Sequence, residues 1–285
     1  MKRLVLVLVA AVTFGSVPAP VLAQSSVAAE QAATHELRLR DGSRAYGRIV
    51  SESEEEVVFE TASGVAITAH RDQIVSLRKV DGVFKEGEFF LSDPNNTRLF
   101  FGPTGRALPK GQAYLGVYEF FMPFVQVGVT DRFSIGAGTP LFFSFDDDGL
   151  DRPYWVTPKL QVFNGRRAQI SIGVFQGFGG GASGGIAYGV ATTGGSAGSF
   201  TAGAGMAYDD DGDRAVVVMV GGDRHVRRNI KLVTESYVWG SGNGVVSAGV
   251  RFFGERLSAD LALASPVGDE FGGFVFPLVN FVYFF

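Results

Sequence analysis

Residues 277–285 read PLVNFVYFF. A strand repeats its side-chain direction every two residues, so Val279, Phe281, Tyr283 and Phe285 share one face, and an aromatic closes the chain. A run of large apolar side chains on an outer face suits hydrocarbon better than water. The same two-residue period extends backward. Leu257, Ala259, Leu261 and Leu263 stand opposite Ser258 and Asp260, and Val246, Ala248, Val250 and Phe252 stand opposite Ser247, Gly249 and Arg251. Further upstream, Ala168, Ile170, Ile172 and Val174 face away from Gln169 and Ser171. Val156, Leu160 and Val162 oppose Thr157, Lys159 and Gln161; Val125, Val127 and Val129 oppose Gln126 and Gly128.

Alternation alone is shared with soluble sandwiches, so the connections decide. Short ones at 130–132, 164–166 and 254–256 alternate with mostly longer Gly- or Asp-rich ones at 144–153, 177–185, 209–213 and 265–273. That is the rhythm of a barrel with short periplasmic turns and longer outer loops. The count predicts an all-β fold: a transmembrane antiparallel β-barrel of about twelve strands, within a range of ten to fourteen, over residues 112–285. Even parity returns the chain to the side on which the N-terminal region lies.

Composition agrees. The 285 residues include 39 Gly and 26 Phe with only 19% charged side chains, a balance unlike that of an ordinary soluble enzyme. No cysteine is present, which excludes disulfide staples, thiol catalysis and a lipid-modified cysteine. A net charge of −4 without a basic stripe disfavours nucleic acid as a partner. Lys2 and Arg3, the apolar run Leu4 to Phe14 and Val21-Leu22-Ala23 have the order of a secretory leader, expected over residues 1–23, with a polar tether over 24–34.

Residues 35–81 break into short strand-like runs separated by Asp41-Gly42-Ser43 and Ser63-Gly64. Leu37, Leu39, Val57, Phe59, Ile67, Ile74 and Leu77 are spaced to fill one interior. The pattern "LRDGSRAYGRIV…VVFETASGVAITAHRDQIVSL" resembles the SH3-like or Sm-like small barrels. That resemblance implies a five-stranded module, expected in the periplasm as a spacer or an interaction domain for protein or peptidoglycan. Residues 82–111, with the turn-rich strings Asp93-Pro94-Asn95-Asn96-Thr97-Arg98-Leu99 and Pro103-Thr104-Gly105-Arg106, read as the linker.

The closing segment PLVNFVYFF resembles the last strand of outer-membrane barrel proteins, and this implies that Val279, Phe281, Tyr283 and Phe285 are read by the barrel-assembly machinery. A wider similarity, in the pattern "DPN.TRL…PTGR.L.KG…Y…GVTDRFSIGAG" over Asp93 to Leu141, links the chain to uncharacterised outer-membrane proteins. It implies a location in the outer membrane, in contact with lipid and lipopolysaccharide.

If the barrel forms, Lys159, Lys231, Glu235, Arg251 and Asp260 must face its lumen, because a charge facing mid-bilayer lipid costs about 2–4 kcal/mol. There they serve either as a salt-bridged filling or as the selectivity element of a narrow pore. The acidic runs 146–151 and 209–213 suggest weak cation loops around Asp146, Asp148, Asp209 and Asp211, but neither has the full calcium-loop spacing. Gly181-Ala182-Ser183-Gly184-Gly185 matches a nucleophile-elbow string without the strand-to-helix turn it requires. His225, the base that Ser183 would need, falls by topology at the opposite membrane face and reads as part of a basic periplasmic turn near anionic headgroups. His35 and His70 have no metal-ligand spacing. The expected function is therefore an integral outer-membrane barrel, structural or a narrow pore, with no cofactor and no catalytic set. A secreted all-β binding or adhesion protein and a barrel-embedded lipid hydrolase are the alternatives.

Overall fold

The structure is a computed structural model and describes residues 34–61, 63–85, 88–141, 153–179, 182–240, 242–268 and 274–285. The expected leader, most of the tether, Asp146 and Asp148 lie outside the described residues.

Five strands come first: β1 (His35–Leu39), β2 (Arg44–Glu52), β3 (Glu56–Thr61), β4 (Ala66–His70) and β5 (Ile74–Lys79), with a 3-10 turn at Arg71–Gln73. They form one antiparallel sheet in the order β4-β3-β2-β1-β5. Leu37, Phe59 and Ala69 make its core, with Leu39, Ile49, Ile67, Ile74 and Leu77 packed against them. Charges stay outside and pair there, as Arg48 does with Glu60 at 2.7 Å. Glu36 is the buried exception. Burial pushes its carboxyl pKa up, but hydrogen bonds from Tyr46 and Arg78 and the Arg78 charge outweigh this and hold it below the ordinary glutamate value.

A hairpin of β6 (Gly82–Lys85) and β7 (Glu88–Leu91) follows. Beyond it run β8 (Ala113–Tyr118), β9 (Met122–Gly128), β10 (Phe133–Gly138), β11 (Tyr154–Val156), β12 (Lys159–Asn164), β13 (Ala168–Gly179), β14 (Ala182–Gly195), β15 (Gly198–Asp209), β16 (Arg214–Arg227), β17 (Ile230–Trp239), β18 (Asn243–Phe253), β19 (Leu257–Val267) and β20 (Phe276–Phe284). Each pairs antiparallel with its neighbours, and β20 closes onto β8 from Asn280↔Tyr118 to Phe284↔Tyr114. β11 and β12 both lie between β10 and β13, so they are two halves of one strand interrupted at Thr157-Pro158. Proline cannot donate to a ladder, which accounts for the break. The thirteen stretches are thus a closed barrel of twelve strands.

The wall is apolar outside, and inside it carries buried polar and charged side chains together with apolar patches. Val125, Val127, Ile135, Leu160, Ile172, Val246, Phe252, Leu261 and Leu263 are all solvent-exposed in the isolated chain. On β15 the outer face runs from Phe200 through Ala202, Ala204 and Met206 to Tyr208. Eight residue steps make about 26 Å of strand, or about 20 Å along the axis at a tilt of about 40°, close to the height of a bilayer-spanning apolar band.

Two expectations are corrected locally. The glycine-rich stretch expected as a loop over 177–185 is strand on both sides of residues 180–181, because two flanking ladders override the weak strand preference of glycine. His225 does not sit in a turn: it lies inside β16, with its ring buried between Phe90 and Phe253.

Candidate functional site

The segment after β7 does not run along the outside. Asp93, Asn95, Thr97, Arg98, Leu99, Phe100, Thr104 and Leu108 are all buried, and their partners are the inward side chains of the barrel wall. Residues 93–108 therefore fill the lumen. The stretch expected as a linker over 82–111 contains a hairpin and this inserted plug.

Glu235, on β17, holds the tip. Its carboxylate accepts hydrogen bonds from the backbone N–H of Phe100 at 2.7 Å, Phe101 at 3.2 Å and Gly102 at 3.1 Å, and from the Tyr237 hydroxyl at 2.6 Å. Three successive amides around one carboxylate form an anion nest, and charge-assisted bonds of this kind are the strong ones. The tip must also be slim. A side chain at Gly102 would begin 2.3 Å from Met219 Sδ and 2.5 Å from the Tyr237 hydroxyl, so it would have to displace the Tyr237 side chain that bonds Glu235 or the Met219 thioether.

Arg251, on β18, holds the first turn of the plug. Its guanidinium donates to the carbonyls of Asn95 at 2.7 Å and Leu99 at 2.5 Å, pairs with Asp93 at 3.2 Å, and forms a fork with Asp260 on β19 at 2.6 and 3.0 Å. Lys231 lies between Asp93 at 3.4 Å and Asp223 at 2.8 Å. Glu235, Arg251, Lys231 and Asp260 are each 1% exposed, a burial that charged side chains tolerate only when paired or hydrogen-bonded.

The return limb is held by neutral contacts and one lysine. Lys159 Nζ donates to the carbonyls of Thr97 at 3.1 Å and Arg106 at 2.8 Å. Gly105 N–H donates to Thr192 Oγ1 at 2.8 Å, and its carbonyl accepts from Gln161 at 2.8 Å and Ser171 at 3.0 Å. A side chain at Gly105 would begin 2.1 Å from the Gln169 carbonyl. Arg98 lies 4.7 Å from the ring centres of both Tyr118 and Phe124, a cation–π seat on the β8–β9 wall. Leu99 and Phe100 close the middle of the lumen against Val233, Ala262, Ala264 and Leu278.

Of the five lumen residues singled out from the sequence, Lys159, Lys231, Glu235 and Arg251 bond the inserted segment directly, and Asp260 is linked to it through Arg251. Sequence reasoning missed that segment, the plug, together with its side chains Asp93, Asn95 and Arg98 and the wall residues Asp223, Tyr237 and Asn280. The turn-rich strings at 93–99 and 103–106 were the available signal, since a free linker has no need of Leu99-Phe100-Phe101 between two such turns.

The other candidates separate. Val279, Phe281, Tyr283 and Phe285 lie along the outer side of β20 and beyond its end. Asp209 ends β15 and Asp211 lies in the β15–β16 turn, across which Asp209 Oδ1 accepts the Asp213 N–H at 2.9 Å; no cluster of three metal-ligating side chains occurs among the described residues. Ser183 is the second residue of β14, beside the β15–β16 turn, where its N–H donates to Asp210, while His225 Nε2 lies 3.2 Å from the Leu91 carbonyl at the opposite end of the barrel. They cannot act together.

No family model and no curated relative matches the chain. Among solved structures it is similar to the KdgM porin in complex with disordered oligogalacturonate, at TM-score 0.47 and 7% identity, covering 60% of this chain and 96% of that one. It is similar to the NanC porin at TM-score 0.45 and 7% identity, covering 61% and 98%. It is also similar to the COG4313 outer membrane channel from Pseudomonas putida F1, at TM-score 0.42 and 14% identity, covering 67% and 98%. Likenesses this distant leave the function to be argued from the chain's own residues.

Proposed function

We propose that this protein is an integral outer-membrane β-barrel that carries a narrow pore closed by its own residues 93–108, with a small module on the periplasmic side. The observation that carries the proposal is the wall-to-plug bonding of Glu235 and Arg251. Glu235 accepts from three backbone amides of the inserted segment, and Arg251 donates to its carbonyls and pairs with its Asp93 while also forking onto Asp260 of the neighbouring strand, so neither serves only to brace the wall. Such bonding sets a reversible seal, because the plug is attached to the wall by hydrogen bonds and ion pairs and to the chain at both its ends.

The membrane location is supported by the exposed apolar outer face and by the height of that face on β15. Residues 1–23 are proposed as a secretory leader. The outward Val279, Phe281, Tyr283 and Phe285 are proposed as the segment read by the assembly machinery. For residues 35–81, an SH3-like module is supported by the five-stranded antiparallel sheet and its single apolar core. Protein or peptidoglycan is its proposed partner class.

Planar-bilayer conductance tests the pore. Wild type is expected to be silent, and Glu235→Ala, which strands three amides of the tip, is expected to open measurable conductance at unchanged barrel fold. A barrel that stays silent both in this variant and after excision of residues 94–107 is a structural barrel, and the pore is refuted.

A further inference from the structure

The rim that carries the short turns differs in charge from the opposite one. Arg132 lies in the β9–β10 turn, Arg166 and Arg167 in the β12–β13 turn, Arg224 and Arg227 at the end of β16, and Arg256 in the β18–β19 turn. All six are exposed, and among the described residues their guanidinium groups have neither an ion pair nor a hydrogen bond. The acids of this rim are already engaged. Asp131 accepts the Lys110 N–H at 3.1 Å, and Glu255 pairs with Arg78 at 2.6 Å. Arg228 is engaged too, stacked over Tyr46. The opposite rim carries Glu119, Asp209, Asp210, Asp211 and Asp213, with Arg214 beside them.

Position matters as much as sign. Phe163, Phe200, Phe252 and Tyr283 are exposed on the outer wall near this same end. Aromatic collars mark the level at which hydrocarbon meets headgroup, so the six guanidinium groups stand at or just beyond the headgroups of the adjoining leaflet. Arg224 is on the wall itself, between the outward residues Gly222 and Val226 of β16. A guanidinium offers a planar pair of donors that matches a phosphodiester, and long arginine stems reach toward that level without exposing charge to hydrocarbon.

We infer that this rim is a binding surface for acidic phospholipid, with the six arginines gripping phosphodiester headgroups of the leaflet on the short-turn side. Zwitterionic lipid cancels much of the attraction, because its ammonium meets the same cations. An anionic headgroup of the phosphatidylglycerol type does not. The inference rests on the membrane barrel proposed above.

The test reconstitutes the full folded chain in vesicles of phosphatidylethanolamine with a quarter phosphatidylglycerol, extracts it in mild detergent, and measures the co-purifying lipid by mass spectrometry. Wild type is expected to hold phosphatidylglycerol several-fold above the vesicle ratio. Replacement of all six arginines by glutamine should return the ratio to that of the vesicle, and replacement by lysine should keep most of the excess. Should the glutamine variant lose the heat-modifiable gel mobility of a closed barrel, R166Q/R167Q alone, on one exposed turn, is expected to reduce the excess measurably. An inserted wild-type barrel with no excess overturns the lipid site and leaves the barrel proposal standing. An excess that survives in the folded glutamine variant also overturns it. Failure to insert at all overturns both.

Discussion

The small sheet and the large barrel are built from the same alternating strand pattern and are inside out relative to each other. In residues 35–79, Leu37, Phe59 and Ala69 point inward while Arg48 and Glu60 pair in solvent. In residues 113–284, Leu261 and Leu263 point outward while Arg251 and Asp260 pair in the dark. What decides between the two is the surrounding medium and the curvature. A five-stranded sheet can cover one apolar face with its own side chains, whereas a closed twelve-strand wall with a filled lumen leaves its apolar outer face uncovered by the chain itself. The lesson is that an ion pair means opposite things in the two regions. In the small sheet it sits at the surface, and in the barrel it is buried and helps tie the inserted segment to the wall.

The contrast breaks most sharply at Arg251. Arg251→Leu leaves Asp93 and Asp260 without their shared cation and frees three plug carbonyls, and loss of one partner of a buried pair costs about 3–5 kcal/mol. The temperature at which the closed barrel loses its fast gel mobility should fall markedly, and protease should reach the plug. A variant as heat-resistant as wild type would mean that the plug is not held by this arginine.

Next in size is the outer face. Leu261→Arg places a cation at the middle of β19, where lipid exposure costs about 2–4 kcal/mol, so folding yield into vesicles should drop while the same change in a lipid-free aggregate assay has no such target. Unchanged insertion would argue that this face meets water, as in a secreted all-β protein. The smallest effect is expected at Arg48→Ala in the small sheet. That pair is half in solvent, and exposed pairs contribute less than about 1 kcal/mol, so the melting of a folded chain should scarcely move. A large loss there would erase the distinction between the two regions.

Much of this was legible in the residues. The outward and inward sets on β9, β13, β18 and β19 follow from a period of two, and the short turns at 130–132, 164–166 and 254–256 stand where the pattern put them. Lys159, Lys231, Glu235, Arg251 and Asp260 are buried on the inner side of the wall, on the face that the two-residue period gives to them. The glycine-rich hairpin was not legible, because glycine carries no side chain with which to mark a face, and its strand state is enforced by the ladders of β13 and β16. His225 was misplaced because its neighbours Arg224, Arg227 and Arg228 resemble a turn in composition. The burial of its ring depends on Phe90, 135 positions earlier in the chain (225 − 90).

By itself, the sequence determined the strand faces, the even parity of the barrel and the separate small sheet, because these rest on contacts between near neighbours or on the fixed cost of a charge in lipid. Only the tertiary structure decided where residues 93–108 go. Their partners Glu235 and Arg251 lie well over a hundred positions away, and the bonds are made largely to backbone amides and carbonyls, which every residue possesses. A pattern in side chains cannot announce a bond that the backbone makes, so the closed state of the lumen became visible only when the wall was in place around it.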